Sequence, residues 1–140
     1  MTARPDPVPA EVMDGLAQVS FTVIALLSRA AAEHDLSLTQ LRVLAILRDH
    51  EPTMAELASH LGLERSSVSG LIDRAARRGL VQRAASAEDG RAVRVSLSPD
   101  GHRLAGVLTE EIGQLLVPMT GRLSPADQKR LALLLGKLLG

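Results

Sequence analysis

Apolar residues recur at alternating intervals of four and three along most of this chain, and that spacing is typical of helices with one apolar face. The first such segment runs from about residue 9 to residue 33. Its apolar stripe consists of Val12, Leu16, Val19, Val23, Leu26 and Ala30. Hydrophobic residues make up 46% of the 140 residues, but Phe21 is the only aromatic residue. We therefore expect one mainly helical domain with an aliphatic core.

Three further helices are predicted at about 39–49, 53–61 and 65–78. Each begins or ends with a residue type that closes a helical turn. These signals are the capping pairs Ser37–Gln40 and Thr53–Glu56, and the glycines Gly62 and Gly79. The last of the three helices has an apolar face made of Val68, Leu71, Ile72 and Ala75. We expect that face to be buried, which leaves the opposite, polar face to solvent or a partner.

The apolar period then changes to two at about 80–83 and 93–97, which predicts two short strands. The polar stretch 86–91 between them predicts a hairpin with a long tip.

The serine-proline pairs at 98–99 and 124–125 mark the start of a fifth and a sixth helix, since serine caps a helix and proline fits its first turn. The fifth helix is expected to end at about Val117, because Pro118 follows. Leucines surround the sixth helix in nearly every direction; they are Leu131, Leu133, Leu134, Leu135, Leu138 and Leu139. One small domain cannot bury all of them, so they indicate a partner subunit.

The formal net charge of zero hides an uneven distribution of charge. Residues 1–64 contain four basic and nine acidic side chains, whereas residues 65–94 contain seven arginines and three acidic residues. A basic middle segment indicates a polyanionic partner, although a solvated surface explains the counts equally well.

Several classes of function are disfavoured by what the sequence lacks. With no cysteine, the chain has no disulfide framework, thiolate metal site or cysteine nucleophile. Phosphate loops, nucleophile elbows and the HExxH motif are absent, so we expect no enzymatic activity, no cofactor and no metal. The longest uncharged run, 15–28, has 14 residues and is too short to span a bilayer. We expect it to form a core helix of a soluble, cytoplasmic protein.

Helix, glycine turn, helix and β-hairpin, in that order, are typical of a winged helix-turn-helix. Helix 53–61 would support helix 65–78, which we call the reader helix, and Ala58 and Gly62 would let the two cross closely. The N-terminal turn of the reader helix carries a guanidinium and three hydroxyls, on Arg65, Ser66, Ser67 and Ser69. These groups suit phosphates and base edges in a major groove.

The hairpin tip supplies a second candidate contact. Arg91 is placed to enter an adjacent minor groove, and Asp89 could hold its side chain by an ion pair. Base stacking needs aromatic side chains, so their near absence disfavours single-stranded nucleic acid and RNA loops and leaves duplex DNA. The alternative is a winged-helix interaction module that docks proteins without sequence-specific DNA binding, but such a module has no need for seven arginines at 65–94.

Five stretches of the sequence carry a specific resemblance. They are LTQLRVL at 38–44, TMAELASHLGL at 53–63, SSVSGLIDR at 66–74, RGLVQR at 78–83 and DGRAVRVSLSPDG at 89–101. Together they resemble the multiple antibiotic resistance regulator (MarR) family. The resemblance implies an obligate homodimer, joined through the first, fifth and sixth helices, that binds a pseudo-palindromic operator and usually represses nearby genes.

The resemblance also assigns parts of the chain. We expect an N-terminal dimerisation helix at 1–36, a winged helix-turn-helix lobe at 37–98 and C-terminal dimerisation helices at 99–140. The reader helix would enter the major groove, and the wing, residues 84–92, the minor groove. The expected DNA contacts are Thr53, Arg65, Ser66, Ser67, Ser69, Arg74, Arg91 and Arg94, with Asp89 as support for the wing.

Two features depart from the family. Many members have a basic residue where Gly70 stands, and often an arginine at Gly90, so this chain is expected to rely more on Arg65, Arg74 and Arg91. Its preferred DNA sequence is therefore not transferable from relatives.

A response to a small lipophilic or anionic effector, of unknown identity, is a further implication of the resemblance. Family members often release DNA when such a ligand enters a cleft commonly lined by aromatic residues and an arginine. Here Phe21 is the one aromatic residue available. Arg42, Arg48 and His50 could face the cleft, although surface solvation explains each of them better. The histidines are scattered, and the Glu56–His60 pair alone is too small a ligand set for a zinc sensor.

Overall fold

The computed structural model describes residues 3–88 and 90–140, which form six helices and one two-stranded antiparallel hairpin. The helices are α1 (Ala10–Ala32), α2 (Leu38–Asp49), α3 (Met54–Leu61), α4 (Arg65–Arg77), α5 (Pro99–Thr120) and α6 (Pro125–Leu139). The strands are β1 (Val81–Ala85) and β2 (Val93–Leu97). The predicted fold class, mainly helical with a small β-hairpin wing, is confirmed.

Side-chain caps start several of the helices where the sequence predicts them. At α2, Ser37 Oγ accepts a hydrogen bond from the Gln40 N–H at 3.1 Å, and the Ser37 N–H donates to Gln40 Oε1 at 2.8 Å. This capping box satisfies two backbone donors that the helix itself leaves unpaired. Hydroxyls cap α3, α5 and α6 in the same way, from Thr53, Ser98 and Ser124.

The predicted end of the fifth helix is wrong: α5 continues through Pro118 to Thr120. Proline lacks an N–H, so it removes the hydrogen bond to the Gln114 carbonyl. The ladder resumes at once, because the Gly121 N–H donates to the Val117 carbonyl at 2.8 Å. A proline this close to the end of a long helix therefore costs one bond without stopping the helix.

The hairpin forms as predicted, with Val81 of β1 opposite Leu97 of β2. The first strand is displaced from the predicted range 80–83 because the Leu80 N–H donates to the Ala75 carbonyl at 3.0 Å and so closes α4. The other edge of β2 is attached to the loop before α3, where the Val95 N–H donates to the Pro52 carbonyl at 2.9 Å. This bond fixes the wing to the helix-turn-helix.

The core lies between α2, α3, α4, the hairpin and the first half of α5. Its fully buried side chains are aliphatic and include Leu57, Val68, Ile72, Val95 and Leu108. Gly101, in the first turn of α5, is required there, because a Cβ at that position would run into the Leu80 carbonyl oxygen. The close approach ties α5 to the turn that follows the reader helix.

Helices α1 and α6 lie largely outside this core. The prediction that residues 15–28 form a core helix is wrong for the single chain. Leu16, Val19 and Phe21 are 45%, 52% and 74% exposed, and α1 buries only Ala30 and Ala31. Helix α6 buries no residue. The reason is geometric: the C-terminal part of α1 packs on α2 and α5, whereas the N-terminal part of its apolar stripe, with Val12, Leu16 and Val19, is left uncovered by its own chain.

Judged by length and composition alone, α1 could also cross a membrane, with a mean hydropathy of 1.5 over its most apolar window. Length and hydropathy do not distinguish a membrane-spanning helix from one that packs against another subunit, because both kinds of helix are rich in apolar residues.

Candidate nucleic-acid interface

The first turn of α4 stands clear of the core. Its polar residues are exposed or half-buried; they are Arg65, Ser66, Ser67 and Ser69. Val68 lies among them but is fully buried and anchors the turn. The preceding residue, Glu64, makes no side-chain cap, so no side chain there satisfies the N–H groups of the first turn. Free N–H groups beside hydroxyls and a guanidinium are suited to phosphates and base edges.

The turn before α4 holds the two helices in the predicted arrangement. Gly62 has φ 64°, the left-handed conformation that glycine adopts at low cost. The Leu63 N–H then donates to the Ala58 carbonyl at 3.1 Å. Ala58 is buried at the crossing of α3 and α4. The small side chain and the tight turn together present the N-terminal end of α4 to solvent.

The arginines of residues 65–94 divide by their contacts. Three make hydrogen bonds to other parts of the fold: Arg78, Arg83 and Arg94. Another three, Arg65, Arg74 and Arg77, are exposed and make no hydrogen bond or ion pair to residues 3–88 and 90–140. The second group is available to a partner, whereas the first group stabilises the fold. Counting charges in the sequence could not make this distinction, because it depends on long-range contacts.

Arg94 lies at the base of the wing. Its Nη1 donates to the Glu51 carbonyl at 2.8 Å, its Nε donates to Ser86 Oγ at 3.3 Å, and its guanidinium is 3.6 Å from the Glu88 carboxylate. Together with the Arg83–Asp73 ion pair between β1 and α4, these contacts hold the hairpin against the helices. A direct DNA contact by Arg94 stays a prediction, and the contacts within the chain give it a structural role that the sequence did not indicate.

Arg74 lies beside Gly70 on the surface of α4. Its Nη1 is 3.4 Å from the point where a Cβ on residue 70 would stand. The guanidinium therefore runs back along the helix into space that a larger residue would fill, in keeping with the N-terminal tilt of helical side chains. The family resemblance indicated that this chain lacks a basic side chain at position 70. The structure brings the Arg74 guanidinium close to that position.

The remaining predicted residues lie at the edges of this surface. Thr53 starts α3, where its hydroxyl accepts a hydrogen bond from the Glu56 N–H at 3.2 Å and donates to Glu56 Oε1 at 3.1 Å. Arg91 is exposed near the tip of the wing. Asp89, its predicted support, lies outside the described residues.

Two of the three side chains considered for an effector cleft, Arg42 and Arg48, are engaged elsewhere. Arg42 donates to the His60 carbonyl at 3.0 Å, and Arg48 donates to Thr109 Oγ1 at 3.1 Å. Arg48 also pairs with Asp49 at 3.0 Å, and this hydrogen bond lowers the pKa of the Asp49 carboxyl. Within the described residues, no group of three or more histidine, aspartate or glutamate side chains is close enough to hold a metal ion.

An exposed helix N-terminus in front of a buried anchor, and an antiparallel wing beside it, define a winged helix-turn-helix protein. The model of the MarR family matches residues 34–92. The HTH-type transcriptional regulator YfiV of Bacillus subtilis is 31% identical over 97 residues, which cover 69% of this chain and 60% of that relative.

Solved structures extend the likeness to nearly the whole chain. The apo form of MarR from E. coli has a TM-score of 0.75 at 25% identity, covering 96% of this chain and 100% of that one. A mutant of the same E. coli protein, complexed with operator DNA, has a TM-score of 0.71 at 25% identity, covering 94% and 95%. These matches make the chain similar to MarR-family regulators, in sequence over residues 34–92 and in fold over nearly the whole chain.

Proposed function

We propose that this protein is a dimeric, sequence-specific DNA-binding transcriptional regulator of the cytoplasm that acts as a repressor. The reader helix would enter the major groove and the wing, residues 84–92, the minor groove of a pseudo-palindromic operator. The observation that carries the proposal is the first turn of α4, where exposed Arg65 and its neighbouring hydroxyls stand over the buried anchor Val68. The operator-bound E. coli relative supports the same partner.

The dimer is supported by the apolar residues that the single chain leaves uncovered. Eleven large hydrophobic residues of α1 and α6 are between 43% and 89% exposed: Val12, Met13, Leu16, Val19, Phe21, Ile24, Leu133, Leu134, Leu135, Leu138 and Leu139. A second copy would cover such faces symmetrically. Residues 1–36 and 99–140 would then form the dimer, and residues 37–98 the DNA-binding lobe. Two reader helices related by a two-fold axis would meet successive major grooves about 34 Å apart.

The test is a titration of the full chain with duplex fragments from upstream of its own gene, at low and at moderate salt. We expect specific binding whose affinity falls steeply with salt, since each phosphate contact releases a counterion. Absence of binding to any fragment at low salt would exclude the regulator and favour the protein-docking module. A reporter placed behind the bound fragment then tests repression against activation.

A second element of the proposal is a response to a lipophilic anion. An open groove between α1 and α5 has an apolar floor that includes Leu26, Leu115 and Met119, and two guanidinium groups, Arg29 and Arg122, at its sides. That combination suits an aliphatic or aromatic carboxylate. Addition of benzoate-type and fatty carboxylates to the DNA complex tests it: release that is lost on Arg29→Gln supports the groove, and unchanged binding with every carboxylate removes it.

A further inference from the structure

Arg78, directly after α4, fastens the end of the reader helix to the corner between α1 and α2. Its Nη2 donates to the His34 carbonyl at 2.9 Å, and its Nη1 donates to the Asp35 carbonyl at 3.0 Å. Because both bonds come from one planar guanidinium, they fix the direction of the link as well as its length.

The corner that Arg78 grips has an uncommon backbone. Asp35 has φ 56°, a left-handed conformation that residues other than glycine enter at a cost. The Asp35 N–H donates to the Ala32 carbonyl at 3.1 Å and the Leu36 N–H to the Ala31 carbonyl at 3.0 Å, a pattern that closes a helix. The carbonyls of residues 34 and 35 lie at the negative end of α1, where a cation is favoured. Arg78 therefore places its cation just beyond the C-terminal end of α1.

The same corner also reaches α5. His34 Nε2 lies 2.8 Å from Glu111 Oε2, and α1 packs along α5. One short segment thus contacts the reader helix through its carbonyls and α5 through its imidazole. Because α1 and α5 belong to the proposed dimer interface, the corner lies between the part that would join the two copies and the part that would read DNA.

We propose that Arg78 is a positioning residue for DNA recognition, which holds α4 at a fixed distance and angle to α1 and α5. This inference rests on the proposed function, because the separation of two reader helices matters only in a dimer on a two-fold operator. The Arg78 guanidinium binds carbonyls of its own chain, so its effect on DNA binding comes from the position that it gives to α4. Loss of Arg78 should therefore change which half-site spacing is bound rather than which bases are preferred.

The neighbouring arginine supplies a matched control. Arg77 stands at the same end of α4, is exposed, and makes no hydrogen bond or ion pair to the described residues. Arg77→Ala and Arg78→Ala remove the same charge from adjacent positions, but only Arg78→Ala removes the link to the corner. Arg78→Lys keeps the charge without the two-pronged geometry.

The first experiment measures the affinity of the full-length dimer for its operator and for versions with one base pair inserted or removed between the half-sites. We expect Arg78→Ala to reduce the preference for the natural spacing by about fivefold or more, within the usual range of coupling between sites, and Arg78→Lys to fall in between. Arg77→Ala should lower the affinity for every half-site spacing by the same factor and so leave the ratio of these affinities unchanged. A ratio that Arg78→Ala leaves at the wild-type value overturns the proposal.

The second experiment needs neither DNA nor an identified operator. Because the chain has no cysteine, spin labels can be attached through Ser28→Cys on α1 and Ser67→Cys on α4. Labelled chain is diluted with excess unlabelled chain, and the distance distribution within one chain is measured. Arg78→Ala should broaden or shift the distribution and Arg77→Ala should not; identical distributions overturn the positioning role. If the chain binds no duplex but Arg78→Ala still changes the distance distribution, the proposed DNA binding is wrong and the positioning role of Arg78 stands.

Discussion

The winged lobe, residues 37–98, and the two outer helices α1 and α6 both carry aliphatic faces, but the lobe buries its face and the outer helices leave most of theirs exposed. In the lobe, Leu57, Val68, Ile72 and Val95 are 0% exposed. In α6, Leu133 and Leu138 are 68% and 66% exposed. An apolar stripe therefore predicts that a helix face will be buried. It does not predict whether the same chain or a second copy buries that face.

The largest effect is expected inside the lobe. Ile72→Ala should lower the free energy of unfolding by about 2–5 kcal/mol, because a buried side chain is removed from a close-packed core. Leu139→Ala, at a residue 89% exposed in the single chain, should cost clearly less, because any loss there comes only from the proposed contact with a second copy. Urea unfolding at one fixed protein concentration measures both, since the stability of a dimer depends on concentration. Equal losses would contradict the difference in burial between the two regions.

The next effect concerns the outer helices. Leu134→Glu combined with Leu138→Glu should weaken the dimer at least tenfold, about 1.4 kcal/mol, because each change counts twice in a symmetric interface. Leu38→Glu, at an exposed leucine of the lobe, is the matched control and should leave the dimer intact. Sedimentation velocity over a concentration series gives the dissociation constants. A monomeric wild-type chain would show that the exposed stripes have another partner.

Within the lobe, the reader helix and the wing should differ in what they recognise. Arg65→Ala should relax base preference at a few central operator positions, at a cost of about 1–3 kcal/mol on the preferred sequence. Arg91→Ala should weaken binding to most sequences and reduce the preference for A·T pairs in the flanks. Selection of bound sequences with each variant measures both. The same loss on every sequence for both variants would refute this division.

The smallest effect concerns Gly70. Gly70→Ala should raise the free energy of unfolding by about 0.5–1 kcal/mol, since glycine is unfavourable in a helix interior. The new methyl would stand 3.4 Å from Arg74 Nη1, so it fits but narrows the space for the guanidinium. We expect a modest change in DNA affinity that disappears in the Arg74→Ala background. A change of the same size in both backgrounds would show that Arg74 is not involved.

Much of the fold could be predicted because its signals are local. The capping box at Ser37 and Gln40 and the left-handed Gly62 were predicted from adjacent residues, and the structure confirms them. The misplaced boundary at Pro118 has the same origin: proline is a local signal, but the hydrogen bonds around it decide whether a helix ends. For the candidate site, the exposed first turn of α4 agrees with its pattern, whereas the roles of individual arginines could not be derived from spacing.

By itself, the sequence determined which segments become helices and strands, which face of the reader helix is buried, and which family the chain resembles, because periodicity, caps and motifs act over a few residues. Only the tertiary structure decided that Arg78 binds the corner at His34 and Asp35, that Arg94 holds the base of the wing, and that most of α1 lies outside the core. These contacts join residues about 40 positions apart. Their formation depends on how the helices pack, so no local pattern specifies which cations serve the fold and which remain for a partner.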